Sequence, residues 1–400
     1  MTEIEEIQEL NSLRKTKQLT FVEYHKRLKS IKNRYKRQLK RKNNFINKYG
    51  KYDSYEPMLN LQNYIDSFYK CRSTSQWKRS YQIYNANLIK EIAIIYHDML
   101  HNILNTAPHK NFKVNERGKI RKISAPDIKE RIIQHNLCTN ILHPISDHSL
   151  IYDNYASQKN KGLYLARKRI KKFMVSSYKH NKTNAYVLKL DIHHFFDSIK
   201  HKYVLNTWSK YISDYRVLNL IQQILMKNAF HKDVGLCLGS EVSQISATLF
   251  LSKLDHLIKE KFRIKYYCRY NDDILIIHNS KTYLEKTLNF IIDYLNTIEL
   301  SINTKKTRIF SISKGFNILK VKYFYDRYKN NGKVIMLSGR ESAKRERRKL
   351  RKLKTKYLKN EISKTEILNL FLSWSGNILK SFNAYNLYKQ NYIYFKKLIF

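Results

Sequence analysis

Two apolar runs, Tyr266 to Arg269 and Ile274 to His278, flank the tetrad Tyr270-Asn271-Asp272-Asp273, and this segment constrains the fold more than any other. Strand-forming residues on both sides of so short a break spell a β-hairpin. Asn tolerates the positive φ that a two-residue turn needs, so Asn271-Asp272 is expected to form the turn and carry Asp272 beyond the strands. Two carboxylates about 4 Å apart repel by roughly 4 kcal/mol at a surface-like dielectric. Their juxtaposition at an apolar tip calls for a cation.

Asp191 offers a third carboxylate. It ends the apolar run AYVLKLD, which reads as a buried strand over Tyr186–Ile192, and the bland alternative is that it caps the helix after it. Magnesium takes hard oxygen ligands and keeps several waters, so Asp191 with Asp272 and Asp273 is a sufficient protein contribution to a site completed by substrate phosphates. Two such ions, with manganese as the alternative, would activate a 3′-hydroxyl and stabilise departing pyrophosphate. A zinc site at His193 and His194 is disfavoured, because adjacent residues on an extended segment point apart.

The rest of the composition narrows the partner. Lys and Arg number 77 against 32 Asp and Glu in 400 residues, a formal charge of +45, while 42% hydrophobic content is too high for a disordered basic tail. Nucleic acid is the expected partner of this folded, basic body. Four singly placed cysteines suit a reducing cytoplasm, and neither a signal peptide nor an apolar run of membrane-spanning length is present, which predicts a cytoplasmic protein without a membrane partner.

All four prolines fall within the first 144 residues. Residues 1 to about 80 read as basic helix, with Leu28, Ile31, Tyr35 and Leu39 as an apolar stripe along a cationic segment that either faces solvent or faces nucleic acid. Residues 112–125 read as a hairpin, 81–110, 163–175, 203–212, 243–262 and 284–298 as helices, 307–313 and 333–337 as strands, and the stretch after Pro144, 145–162, as loop. The last sixty residues read as helix, opening with nine Lys or Arg between Lys344 and Lys356. Helices and strands mixed in one central block predict an α+β or mixed α/β fold, of which α+β is the expectation taken forward.

Several segments, taken together and in order, resemble bacterial reverse transcriptases over roughly residues 110 to 390. GKIRKISAPDIKERIIQHNL (118–137) resembles the fingers segment that holds the incoming triphosphate, which implies this role for Arg121, with Lys119 and Arg131 as weaker matches. IYDNYASQKNKG (151–162) resembles the next fingers motif. LDIHHFFDSI is similar to the first catalytic motif, making Asp191 a metal ligand and Phe196 the aromatic gate against a ribose 2′-hydroxyl. GLCLGSEVSQ (235–244) resembles the loop-to-helix motif around the template base and nucleotide sugar, with Gly239, Ser243 and Gln244 as the contacts. Cys237 and Leu238 stand where the family often carries Pro and Gln, and Gln244 where it often has Pro. Tyr270 to Asp273 matches the catalytic hairpin, with Tyr270 against the substrate. INTKKTRIF (302–310) matches the segment whose lysine, here Lys306, assists pyrophosphate departure. WSGNILKSFNAYNL resembles the thumb.

The resemblance implies a right-hand polymerase: a basic helical extension (1–80), fingers (81–180), a palm with part of the fingers (181–338) and a helical thumb (339–400). It implies RNA-directed DNA synthesis from a nucleic-acid or protein primer with deoxynucleotides, in the style of defence-associated enzymes. A structured non-coding RNA, an accessory protein or self-association would accompany it. Diversity-generating retroelement enzymes are the second reading. A template-independent or RNA-copying polymerase, a non-catalytic RNA-binding protein and a metal-dependent nuclease are the others.

Overall fold

The structure is a computed structural model that describes residues 3–16, 18–73, 75–116, 119–227, 233–326, 331–338, 340–381 and 384–399. Helices α1 (Glu3–Lys15), α2 (Phe21–Tyr49), α3 (Leu61–Arg72), α4 (Arg79–Ala86) and α5 (Leu88–Leu100) open the chain. The hairpin of β1 (Lys110–Glu116) and β2 (Lys119–Ala125) leads to α6 (Ile128–Leu137), α7 (His143–Ser149) and α8 (Leu163–Asn181). Next come β3 (Tyr186–Asp191), α9 (Phe195–Ser198), α10 (His201–Trp208), α11 (Tyr215–Lys227), α12 (Glu241–Phe250) and α13 (Ser252–His256). Strands β4 (Tyr266–Tyr270) and β5 (Asp273–His278), helix α14 (Lys281–Thr297), and strands β6 (Arg308–Ser311), β7 (Phe316–Ile318), β8 (Val321–Tyr325) and β9 (Val334–Ser338) follow. Helices α15 (Arg340–Leu358), α16 (Lys364–Ser381) and α17 (Tyr385–Ile399) close it. The expected α+β architecture is observed.

The central sheet has the order β4-β5-β3-β6, antiparallel throughout. It separates two cores. Because strand side chains alternate between faces, Leu188, Leu190, Ile274, Ile276 and Tyr267 enter one core, with α5, α6, α10, α11 and α12. Val187, Leu275, Ile277, Tyr266 and Cys268 enter the other, with α8 and the small sheet β7-β8-β9. A sheet buried on both faces explains why its strands read as near-continuous apolar runs rather than as alternating ones.

Tyr55, Met58, Tyr64 and Phe68 also pack into the first core. Helices α15, α16 and α17 keep a separate small core of Leu350, Ile367, Phe371 and Phe395, with the two Phe rings stacked at 4.5 Å. No described helix is long and apolar enough to cross a membrane.

Several elements depart from the sequence expectation. Residues 128–149 are helical, with a π turn at Cys138–Leu142, so the loop expected directly after Pro144 begins only at Leu150, and the helical pattern expected over 81–110 ends at Leu100. Pro144 lies inside this continuous helix, two residues past the π turn, where the widened backbone ladder makes room for its ring and its missing N–H. The helix expected over 243–262 is broken into α12, α13 and a π turn at Leu257–Lys261. Helix α11 and strands β7 and β8 were not anticipated.

Candidate active site

The sheet register places Asp191, the last residue of β3, directly opposite Asp273, the first of β5. Opposed antiparallel residues have Cα atoms about 4.5–5.5 Å apart, and their side chains rise from the same face. Tyr270 pairs with Asp273 from the other side, closing the two-residue turn, and Asn271 takes φ 53° as its residue type allows. Asp272 follows it in the turn. Asp191 is buried, whereas Tyr270, Asp272 and Asp273 are half-buried.

A third segment completes this sheet end. An Ile192–Ile302 bridge and the donation of the Asn303 N–H to the Asp191 carbonyl at 2.7 Å lay residues 302–307 beside β3. Lys306 Nζ then lies 3.0 Å from each carboxylate oxygen of Asp191. Burial pushes the Asp273 carboxyl up to about 6; the negative charges of Asp272 and Asp191 add to this, against Lys189 and Lys306. Among the described residues no three carboxylate, imidazole or thiol groups gather into one metal cage. The donor set nevertheless suits a hard divalent cation, because the carboxylates are crowded and Asp191 already holds a cationic nitrogen across both oxygens.

The 235–244 segment is built against the first hairpin. Gly235, at φ 96°, donates its N–H to the Ile199 carbonyl at 2.9 Å, and Leu236 N–H donates to the Phe196 carbonyl at 2.7 Å. Phe196 itself is half-buried against the first core. Gly239 has φ 130°, and a Cβ there would meet the Ser124 carbonyl oxygen at 2.6 Å, so only glycine lets the loop close onto the end of β2. Ser124 N–H donates to the Leu238 carbonyl at 3.2 Å and Cys237 Sγ–H to the Ser124 carbonyl at 3.4 Å. Ser243 is fully buried in α12, whereas the Gln244 side chain beside it is exposed.

The basic candidates lie on the hairpin and α6. Arg121 is half-buried opposite Val114 on β2, and Arg131 Nε donates to the Pro126 carbonyl at 3.0 Å. Lys119 opens β2, but its side chain, like the turn at Gly118, lies outside the described residues. The fold therefore brings Asp191, Asp273, Tyr270 and Lys306 to one sheet end. It couples Gly239 to the β2 terminus that follows Arg121.

Two buried networks holding these parts were not read from the sequence. Glu130, fully buried, accepts from Thr106 Oγ1 at 3.0 Å and Gln134 Nε2 at 2.7 Å and pairs with His109 Nε2 at 2.8 Å. Gln134 Oε1 in turn accepts from Ser240 Oγ at 2.9 Å and the Glu241 N–H at 3.0 Å, fixing the start of α12. Behind the hairpin, Arg269 binds Asp255, and its Nη2 donates to the Thr248 carbonyl at 2.7 Å. The 151–162 segment docks on the same strand, with Arg269 N–H donating to the Asp153 carbonyl and Tyr155 N–H to the Arg269 carbonyl, both at 3.1 Å.

Residues 107–358 match the family model of the reverse transcriptase (RNA-dependent DNA polymerase). The chain is 21% identical to protein YkfC of Escherichia coli strain K12, a match that covers 58% of this chain and 71% of YkfC. It is 27% identical to the retron Ec73 reverse transcriptase of Escherichia coli, a match that covers 52% of this chain and 66% of that protein. Among solved structures, a telomerase from Candida albicans in complex with a fragment of telomeric RNA aligns with TM-score 0.45 and 10% identity, covering 78% of this chain and 65% of that one.

Proposed function

The chain belongs to the reverse transcriptase family of RNA-dependent DNA polymerases, which are nucleotidyltransferases, and from that premise we propose that it extends a primer hydroxyl with deoxynucleotides on an RNA template. The observation that carries this reading is the opposition of Asp191 and Asp273 across β3 and β5, with Lys306 on Asp191. Asp191, Asp272 and Asp273 would hold two magnesium ions, with manganese as a substitute. When bound, such ions supply Lewis-acid activation of the 3′-hydroxyl and charge neutralisation at the leaving phosphates.

The protein's own groups do the remaining work. Lys306 leaves Asp191 for the pyrophosphate oxygens as charge develops there, acting as a point cation. Arg121, with Lys119 and Arg131, holds the triphosphate. Phe196, whose carbonyl is tied to the 235–244 loop, limits the space beside the sugar. Gly239 and Gln244 lie along the template and nucleotide, Tyr270 beneath the primer end.

In this assignment residues 1–80 are an N-terminal extension, 81–180 the fingers, 181–338 the palm with part of the fingers, and 339–400 the thumb. The cationic face of α15 grips the primer–template backbone. The sequence resemblance favours a role in antiphage defence over diversity generation. Template-directed incorporation of deoxynucleotides on RNA by the purified chain, lost in Asp272→Ala, is the test.

A further inference from the structure

A second concentration of positive charge, besides that of α15, lies on α2. Between Tyr24 and Tyr52 the sequence has twelve Lys or Arg and no carboxylate. A capping box between Thr20 and Glu23 fixes the start of this 29-residue helix, which is about 43 Å long at 1.5 Å per residue. Its apolar stripe faces α1: Leu10 and Tyr24 are buried, Tyr24 Oη donates to Asn11 at 2.7 Å, Tyr35 Oη donates to Glu6 at 3.1 Å, and Arg34 pairs with Glu6. At the far end Tyr49 is buried in the first core. Lys26, Lys29, Lys32, Lys36, Arg37 and Lys40 lie on the opposite face, all exposed.

We propose that the α1–α2 hairpin is a second nucleic-acid site that grips the paired region of a structured RNA. Three features argue for this occupant. Cations without intervening carboxylates suit a polyphosphate. The segment from Lys26 to Lys40 carries no exposed aromatic ring on which an unpaired base could stack, so it matches a ligand that offers phosphates and sugars rather than open bases. Tyr24 is buried against α1 and Leu28, Ile31 and Tyr35 are half-buried, with Leu39 the exposed member of the stripe, so the cationic stretch has no continuous apolar face to sink into a lipid surface. The site is independent of the polymerase reading.

The test uses the full-length protein carrying K29Q, K32Q, K36Q and K40Q together, with the four Lys→Arg changes as the charge-preserving control. Binding of a blunt-ended RNA duplex and of a single-stranded RNA of equal length is measured by fluorescence anisotropy across a salt series. The expected result is a loss of about tenfold in duplex affinity and a salt slope shallower by roughly three, with single-strand binding unchanged and the Arg variant like the parent. Unchanged duplex binding, or equal losses on both RNAs, overturns the proposal. Primer extension on a short primer–template reports separately on the polymerase, and its loss or retention leaves the binding comparison intact.

Discussion

Arg269 and Asp255 form an ion pair from which solvent is wholly excluded, with Arg269 Nη2 2.7 Å from Asp255 Oδ2 and neither side chain exposed. The same guanidinium donates from Nη1 to the Asn271 carbonyl at 3.3 Å, so the pair holds the back of the aspartate-bearing turn. Removing one partner strands a buried charge. Asp255→Ala is therefore expected to lower unfolding free energy by about 3–5 kcal/mol, measured by urea denaturation. Arg269→Met with Asp255→Leu should recover much of that stability and leave extension slow, because the turn has lost its donor.

At Gly239 the conflict is steric rather than electrostatic. Ala there would bring a Cβ to 2.6 Å from the Ser124 oxygen in a backbone that L residues avoid, with an expected cost of about 1–3 kcal/mol and a raised KM for nucleotide. Gly376 in α16 has nothing within 4 Å of the corresponding position, so Gly376→Ala should stabilise by roughly 0.5–1 kcal/mol. Thermal melting of the two variants should move in opposite directions.

Phe196 predicts sugar selectivity. Phe196→Ala should raise the efficiency of ribonucleotide incorporation relative to deoxynucleotide by about tenfold or more, read from kcat/KM with each substrate. An unchanged ratio removes Phe196 from the sugar pocket.

Acid should weaken the joint between α6, α7 and α12. Burial alone would raise the Glu241 carboxyl, but hydrogen bonds from His135 at 3.1 Å and His143 at 3.5 Å outweigh it and hold the group at about 2. The folded value lies below the ordinary 4.5, so this contribution is complete above about pH 4.5 and is lost as pH falls toward about 2. Glu241→Gln should melt lower than the parent at pH 6 and show a shallower fall across that window.

What could be read from the sequence followed local chemistry. The β4–β5 hairpin, its Asn271 turn and the apolar β3 ending in Asp191 were visible because each is encoded in consecutive residues. The β7–β8 hairpin was hidden, since its turn residues Leu319 and Lys320 both take positive φ without Gly or Asn to announce it. Arg167 supports that turn from afar, donating to the Leu319 carbonyl at 2.9 Å. Arg269 is a charge within an otherwise uncharged strand, and its partner Asp255 comes from α13. Nothing in either local pattern announces the pair. Glu130 and Gln134 are likewise ordinary helix residues until the fold closes α12 over them.

Primer extension on an RNA template with deoxynucleotides, comparing the parent with Asp191→Asn, tests the central claim most directly. The account predicts extension by the parent and a loss of at least about a thousandfold in the variant, with the melting temperature little changed. Equal extension by Asp191→Asn would contradict it.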